Sequence, residues 1–210
     1  MKRILTLVTA FVVVLTAGNY AKAQAATKGN VIIDPYYGFP NFGKFFAKNF
    51  AEEFTGLTIG GYGPAGARVE YMLADKFGIG VDAIFNGIDY KGTVTDTVGF
   101  DGMGNAVTDE KTGKVAMRRV RVQARFNYHF DVATPELDLY LGFGAGFNTR
   151  TVRYWEDDVE QTDYQVKGAL FPVSFRAALG MRYYFTNNIG LNAELGIGGP
   201  VMSAGLSFKF

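Results

Sequence analysis

The chain has 210 residues, a length that favours one domain, and it combines 27 glycines and 15% aromatic residues with only 6 prolines. It contains no cysteine, which excludes disulfides, thiol catalysis and thiolate metal sites. The formal net charge is +1, and removal of residues 1–23 would leave 18 basic against 20 acidic residues. This balance argues against a nucleic acid partner.

Residues 1–23 have the pattern of an export signal. Lys2 and Arg3 form a basic start, residues 4–17 are mostly apolar, and Ala21-Lys22-Ala23 gives a small-x-small cleavage motif. A membrane anchor is the alternative, but the apolar run is short and lacks the basic flank of a spanning helix. We predict a cleaved signal peptide at 1–23 and one domain at 24–210.

Alternation of apolar and polar residues predicts eight strands in the remaining chain. The first six cover about 30–37, 66–73, 77–91, 114–130, 137–152 and 169–185, and a hairpin at 190–210 supplies the last two. Short turns mostly alternate with longer connections, of which 93–113 is expected to be a polar loop. An even number of strands with alternating short and long connections predicts an all-β, antiparallel, up-and-down transmembrane β-barrel.

A phenylalanine stripe lies between the first two predicted strands. Phe42, Phe46, Phe50 and Phe54 recur every four residues, which predicts a short helix in the first outer loop, with Asn41 as its N-cap. The helix either caps the barrel mouth with its phenylalanines on the rim, or lies in the outer leaflet or docks a surface partner.

The charged residues of the predicted strands share the polar face, while the apolar face carries none over its central part. A soluble barrel would place its apolar side chains inside. A basic residue on the lipid face near mid-membrane would cost about 2–4 kcal/mol, so we expect the charges to line the lumen. The predicted lumen charge network comprises Asp34, Arg68, Glu70, Asp82, Arg119, Arg121, Arg125, Asp138, Arg176, Arg182 and Glu194.

An eight-stranded barrel has an interior just wide enough for side chains to fill. Asp34, Arg68, Glu70, Asp82, Arg125, Arg182 and Glu194 are expected at one lower level, and Arg121 and Arg176 higher. Pairing of opposite charges at one level reduces their desolvation cost, which predicts a plug that rigidifies the lumen. A charged permeation path is the alternative.

Catalytic and metal sites have little support in the sequence. The single histidine, His129, is expected beside a periplasmic turn without a serine and acid arranged for catalysis, so we predict no enzymatic activity. The acidic segment 156–163 matches no compact calcium loop, which favours a solvated loop over a metal site. No cofactor is expected. Tyr90, Tyr154, Trp155 and Tyr164 are expected in an outer aromatic girdle rather than in a sugar-binding platform.

The final residues resemble the C-terminal assembly signal of outer-membrane barrels, with Ser203, Gly205, Phe208 and Phe210 at the matching positions. The resemblance implies insertion by a barrel-assembly machinery. With the strand count, the chain resembles the small eight-stranded OmpA/OmpX-like and OmpW-like barrels, and cleavage before Gln24 is similar to that of exported Bacteroidota proteins.

These observations predict an integral protein of the cell outer membrane with a structural or surface-interaction role. The expected partners are outer-membrane lipid and lipopolysaccharide, the assembly machinery, and a possible surface partner. A narrow OmpW-like channel for ions or small apolar solutes is the first alternative. A lipid A-modifying enzyme is the second.

Overall fold

Eight strands form one closed antiparallel barrel in the computed structural model, in which each strand pairs with the next and the last pairs with the first. The structure describes residues 25–41, 43–44, 56–100, 102–169 and 171–210, with only the backbone at 94–97. The strands are β1 (Val31–Phe39), β2 (Ala65–Ala74), β3 (Phe77–Phe100), β4 (Ala106–Phe130), β5 (Leu137–Glu156), β6 (Val173–Tyr184), β7 (Ile189–Ile197) and β8 (Met202–Lys209). The predicted fold class is confirmed.

Strands β1 and β8 close the barrel. Ile33 pairs with Phe208 and Tyr37 with Ala204. At the edge of the seam, Val31 and Phe210 exchange two backbone hydrogen bonds, each with a nitrogen to oxygen distance of 2.9 Å. Because every strand has two neighbours within the barrel wall, the described wall has no free edge at which another chain could pair.

The barrel has a turn end and a loop end. Short connections at 75–76, 131–136 and 185–188 lie at the turn end, together with Ala25, the first described residue, and Phe210. Lys76 donates a hydrogen bond to Asp131 of the adjacent connection, which raises the pKa of the lysine. The two long connections, 40–64 and 157–172, lie at the loop end. The short link 198–201 between β7 and β8 lies at the same end.

The expected polar loop at 93–113 is wrong, because β3 and β4 continue as a paired hairpin. Thr93 pairs with Thr112, and the ladder extends to Phe100 and Ala106 with one register shift between Thr97 and Gly99. The segment is rich in threonine and valine, whose branched side chains favour strands even where polarity suggests a loop. The β3–β4 hairpin therefore projects well beyond the neighbouring strands.

Shorter elements surround this hairpin at the loop end. Thr58–Gly60 pairs with β3, and both Val159–Glu160 and Val166–Lys167 pair with β5. Between the last two segments lies a 3-10 turn at Thr162–Tyr164. Strand β6 begins at Val173 rather than near residue 169, directly after Pro172, which cannot donate a ladder hydrogen bond.

Two predicted elements fall outside the described residues: the signal peptide at 1–23, and the helix with its stripe of Phe42, Phe46, Phe50 and Phe54. The backbone nitrogen of Lys44 donates to Asn41 Oδ1 at 3.3 Å. Among the described residues, no helix has the length and apolar character needed to cross a membrane.

The two faces of the barrel wall differ sharply in polarity. Large apolar side chains point outward and are exposed, as Leu179 (55%) and Phe175 (67%) illustrate for β6. The alternate residues point inward, where Asp34 and Arg182 are fully buried. The period of two therefore places charged groups inside and apolar groups outside.

Candidate functional site

Arg182 is the centre of a buried ion-pair cluster near the turn end. Its guanidinium group contacts three carboxylates: Nε lies 3.0 Å from Asp34 Oδ2, Nη1 2.8 Å from Asp138 Oδ2, and Nη2 2.6 Å from Glu70 Oε2. Arg182 lies on β6 directly opposite Asp138 of the adjacent strand β5. Its contacts with Asp34 of β1 and Glu70 of β2 cross the interior between strands that are not neighbours. All four side chains are buried.

His129 joins two carboxylates of this cluster. Its Nδ1 lies 2.6 Å from Asp138 Oδ1 and its Nε2 lies 2.9 Å from Glu70 Oε1. Because a carboxylate oxygen only accepts hydrogen bonds, both contacts are satisfied when the imidazole carries a proton on each nitrogen. His129 then contributes a second positive charge beside Arg182.

Glu194 is the centre of a second buried cluster, one level nearer the loop end. Its carboxylate forms an ion pair with Arg68 Nη1 at 2.5 Å and accepts hydrogen bonds from Arg125 Nη2 and Arg176 Nη2, each at 2.7 Å. Tyr140 adds a hydroxyl donor at 2.9 Å. Three arginines from β2, β4 and β6 therefore converge on one acidic residue of β7.

Asp82 and Tyr36 extend the second cluster toward β3 and β1. Tyr36 donates its hydroxyl proton to Asp82 Oδ1 at 2.6 Å, and Arg125 Nη1 lies 3.3 Å from Asp82 Oδ2. Arg68 stacks over the Tyr36 ring at 4.2 Å and lies 3.9 Å from Asp34. Arg68 thereby connects the two clusters.

Tyr140 lies between the clusters, and a glycine makes room for it. Arg182 lies 4.3 Å above the Tyr140 ring centre, which is a cation–π contact. A Cβ atom on Gly180 would lie 2.1 Å from Tyr140 Cζ, so only glycine fits at that position of β6. The inward glycines therefore provide space for large side chains of the opposing and neighbouring strands.

Arg119, Arg121 and Arg150 lie apart from both clusters, toward the loop end. Arg119 and Arg150 are directly paired across β4 and β5, and Arg121 is paired with Asn148. Arg119 donates Nε to Asn148 Oδ1 at 2.7 Å. Within the described part of the chain, none of the three has a carboxylate partner.

Nine of the eleven predicted lumen charges lie in the two clusters, and Arg119 and Arg121 do not. Arg176, expected at a higher level, reaches down to Glu194. Four further residues, for which the sequence predicted no network role, also join the clusters: Tyr36, Tyr140, His129 and Ser207. The alternation of residues along each strand could have predicted their inward position, since each lies on the same face of its strand as the charged residues.

The predicted C-terminal assembly motif lies in β8 and at its seam with β1. Ser203 is buried and faces inward, Gly205 approaches Pro35 of β1, and Phe210 is 68% exposed beside the seam. At the loop end, Tyr154, Trp155 and Tyr164 line an open cleft, and Lys114 lies 5.1 Å above the Trp155 ring centre.

His129 has no serine among its described hydrogen-bond partners. In the acidic segment, Glu156 pairs with Lys111 at 2.9 Å. The described residues include no group of three or more histidines and acids that could hold a metal ion. Enzymatic activity and metal binding gain no support from this geometry.

A family model described as Domain of unknown function (DUF2715) matches residues 23–210. No curated protein matches the chain.

Solved structures with a similar fold include the N-terminal β-barrel domain of Pseudomonas aeruginosa OprF, with 15% identity, 88% of this chain and 100% of that chain covered, and a TM-score of 0.47. The outer membrane protein OprG from Pseudomonas aeruginosa has 13% identity, 90% and 99% coverage, and a TM-score of 0.46. Ail, the attachment invasion locus protein of Yersinia pestis, has 10% identity, 87% and 99% coverage, and a TM-score of 0.40.

Proposed function

The chain belongs to the DUF2715 family, and we propose that it is an integral outer-membrane barrel with a structural or surface-interaction role and a lumen filled by charged side chains. One observation carries the proposal: the apolar wall of the closed sheet faces outward, while nine paired charges are buried inside it. Such a surface would aggregate in water and is suited to acyl chains.

The apolar outer surface of the barrel supports the proposal that the barrel lies in a membrane. Outward residues of neighbouring strands, such as Leu141, Leu179 and Leu195, share one register level and form a continuous apolar band. Placing the same leucines in water would leave a large apolar surface without a partner. A closed barrel also satisfies every backbone group of the wall internally, as a bilayer requires.

The interior supports a stabilising role rather than transport. Arg182 links β6 to β2 on the opposite side of the barrel, and Arg125 links β4 to β7. These contacts cross the space through which a solute would have to pass. We therefore favour a side-chain-filled lumen over the OmpW-like channel. Lipopolysaccharide, the barrel-assembly machinery and a surface partner of the loop end are the proposed partners.

Cysteine labelling tests the proposed topology, because the chain has no cysteine of its own. Phe100→Cys places a thiol near the tip of the β3–β4 hairpin, and Ala133→Cys places one at the turn end. A membrane-impermeant maleimide on intact cells should label the first variant alone. After cell lysis it should label both. Equal labelling of the two variants on intact cells would contradict an outer-membrane barrel with its loops outside.

Conductance measurements separate the filled lumen from a channel. The purified protein should migrate differently on a denaturing gel before and after boiling, as closed barrels do. Folded protein reconstituted in a planar bilayer should give no unitary current steps. Reproducible steps from wild-type protein would favour the channel instead. A lipid A mass spectrum unchanged by gene deletion would remove the enzyme alternative.

A further inference from the structure

The balance of positive and negative side chains on the inner wall differs between the turn end and the loop end of the barrel. Toward the turn end, the five buried acids face four arginines and His129, so this region is neutral when the imidazole is doubly protonated. Its members are Asp34, Glu70, Asp82, Asp138, Glu194, Arg68, Arg125, Arg176, Arg182 and His129. Toward the loop end, Arg119, Arg121 and Arg150 carry three positive charges with no acidic partner among the described residues.

The three loop-end arginines are held close together by the strand register. Arg119 and Arg150 occupy directly opposed positions of β4 and β5, and such pairs have Cβ atoms about 4.5–5.5 Å apart. Arg121 lies two residues along β4, so its side chain has the same inward direction. The nearest described acid along the adjoining part of β3, Asp89, is paired with Arg118 at 2.8 Å.

Three further features of this cluster bear on ligand binding. Arg150 Nε is buried and has no hydrogen-bond partner in the described structure. Asn148 donates Nδ2 to the Phe171 carbonyl at 2.9 Å, which fixes its amide oxygen toward Arg119 and holds that guanidinium in place. A cavity of about 280 Å³ adjoins the cluster and is lined by Asn86, Arg119 and Arg121 together with apolar groups.

Like charges at this spacing repel, and the partial burial of Arg119 and Arg121 strengthens the repulsion. An anion bound among the three groups removes the repulsion. A guanidinium presents two parallel N–H groups that match the oxygens of phosphate. We propose that Arg119, Arg121 and Arg150 form an oxyanion site at the loop end of the barrel that binds the phosphate group of a small soluble compound. This site is independent of the structural role proposed above.

Calorimetric titration of inorganic phosphate into the folded protein in detergent tests the proposal. Arg119→Gln and Arg121→Gln should each weaken phosphate binding about tenfold or more, because each removes charge-assisted hydrogen bonds. Arg153→Gln is the matched control, since this arginine is exposed at the loop end and points away from the cavity; it should bind like wild type. Heat-dependent gel migration checks that each variant is folded.

Chemical protection gives a measurement on wild-type protein alone. Phenylglyoxal modifies accessible guanidinium groups, and mass spectrometry locates the modified residues. Phosphate should protect Arg119, Arg121 and Arg150 but not Arg153, compared with chloride at equal ionic strength. No phosphate binding by wild type, or binding that all variants retain, would overturn the proposal, since retained binding identifies adventitious association elsewhere.

A third arm distinguishes the source of the phosphate group. The titration is repeated with lipopolysaccharide in the micelles, whose lipid A also carries phosphate. Unchanged affinity for inorganic phosphate supports a soluble ligand. Protection of the three arginines by lipopolysaccharide without added phosphate would overturn the assignment to a soluble compound and identify a lipid headgroup instead.

Discussion

Arg182 Nη2 lies 2.6 Å from Glu70 Oε2, although their strands, β6 and β2, lie on opposite sides of the closed sheet. The contact is possible because eight strands enclose an interior only as wide as two long side chains. It connects the two halves of the barrel through one guanidinium group, which also contacts Asp34 and Asp138. The interior network therefore supports the barrel shape in addition to the backbone ladder.

Replacement of Arg182 by methionine should strongly destabilise the barrel. Arg182→Met leaves three carboxylates buried without their main partner, and removal of one member of a buried ion pair costs about 3–5 kcal/mol. Urea unfolding in detergent or lipid vesicles measures this loss. Arg153→Met, at an exposed position, should change the free energy of unfolding by less than about 0.5 kcal/mol. Equal stability of the two variants would contradict the role given to Arg182.

A double-mutant cycle should reveal coupling between Glu194 and Arg125. Glu194→Gln leaves three arginines facing each other, so the single variant should lose several kcal/mol. Arg125→Met in the same chain removes part of that repulsion, and the two effects should deviate from additivity by about 0.5–3 kcal/mol. The measurement is again the free energy of unfolding. Glu194→Gln combined with Arg153→Met should be additive, and additivity in both pairs would argue against the network.

A charge on the outer wall should be costly only within the membrane. Leu179→Arg places a guanidinium among acyl chains at the middle of β6 and should cost about 2–4 kcal/mol. Val159→Arg is the matched control, because Val159 is similarly exposed but lies in the short strand at the loop end. Unfolding from lipid vesicles compares the two. If Leu179→Arg left the free energy of unfolding unchanged, this face of the barrel would be in contact with water and not with lipid.

The terminal aromatic residue should affect assembly in cells more than stability. Phe210→Ser keeps the two backbone hydrogen bonds with Val31 but removes the ring from the proposed assembly signal. We expect less heat-modifiable barrel in outer-membrane fractions and nearly normal refolding of purified protein in detergent. Lys209→Gln, at the neighbouring position, serves as the control. Normal amounts of Phe210→Ser barrel in cells would remove the assembly role proposed for this residue.

Several features were predictable from local sequence. The alternation of β6, with Phe175 and Leu179 on one face and Arg176 and Arg182 on the other, gave both the strand and its orientation. The polar composition of 93–113 predicted a loop, which is wrong. Strand pairing with a partner of matching register outweighs polarity in this projecting hairpin. The position of His129 between Asp138 and Glu70 had no local signal, since these residues come from three strands.

The sequence by itself determined which side chains share a face, because a strand turns successive residues to opposite sides whatever its neighbours are. Tertiary structure alone decided which charges meet. The meeting of Arg182 with Glu70, and of Arg68 with Glu194, depends on strand stagger and on closure between β1 and β8, which relate residues more than one hundred positions apart. Arg119, Arg121 and Arg150 have no acidic partner in the described structure, a property that no local pattern contains.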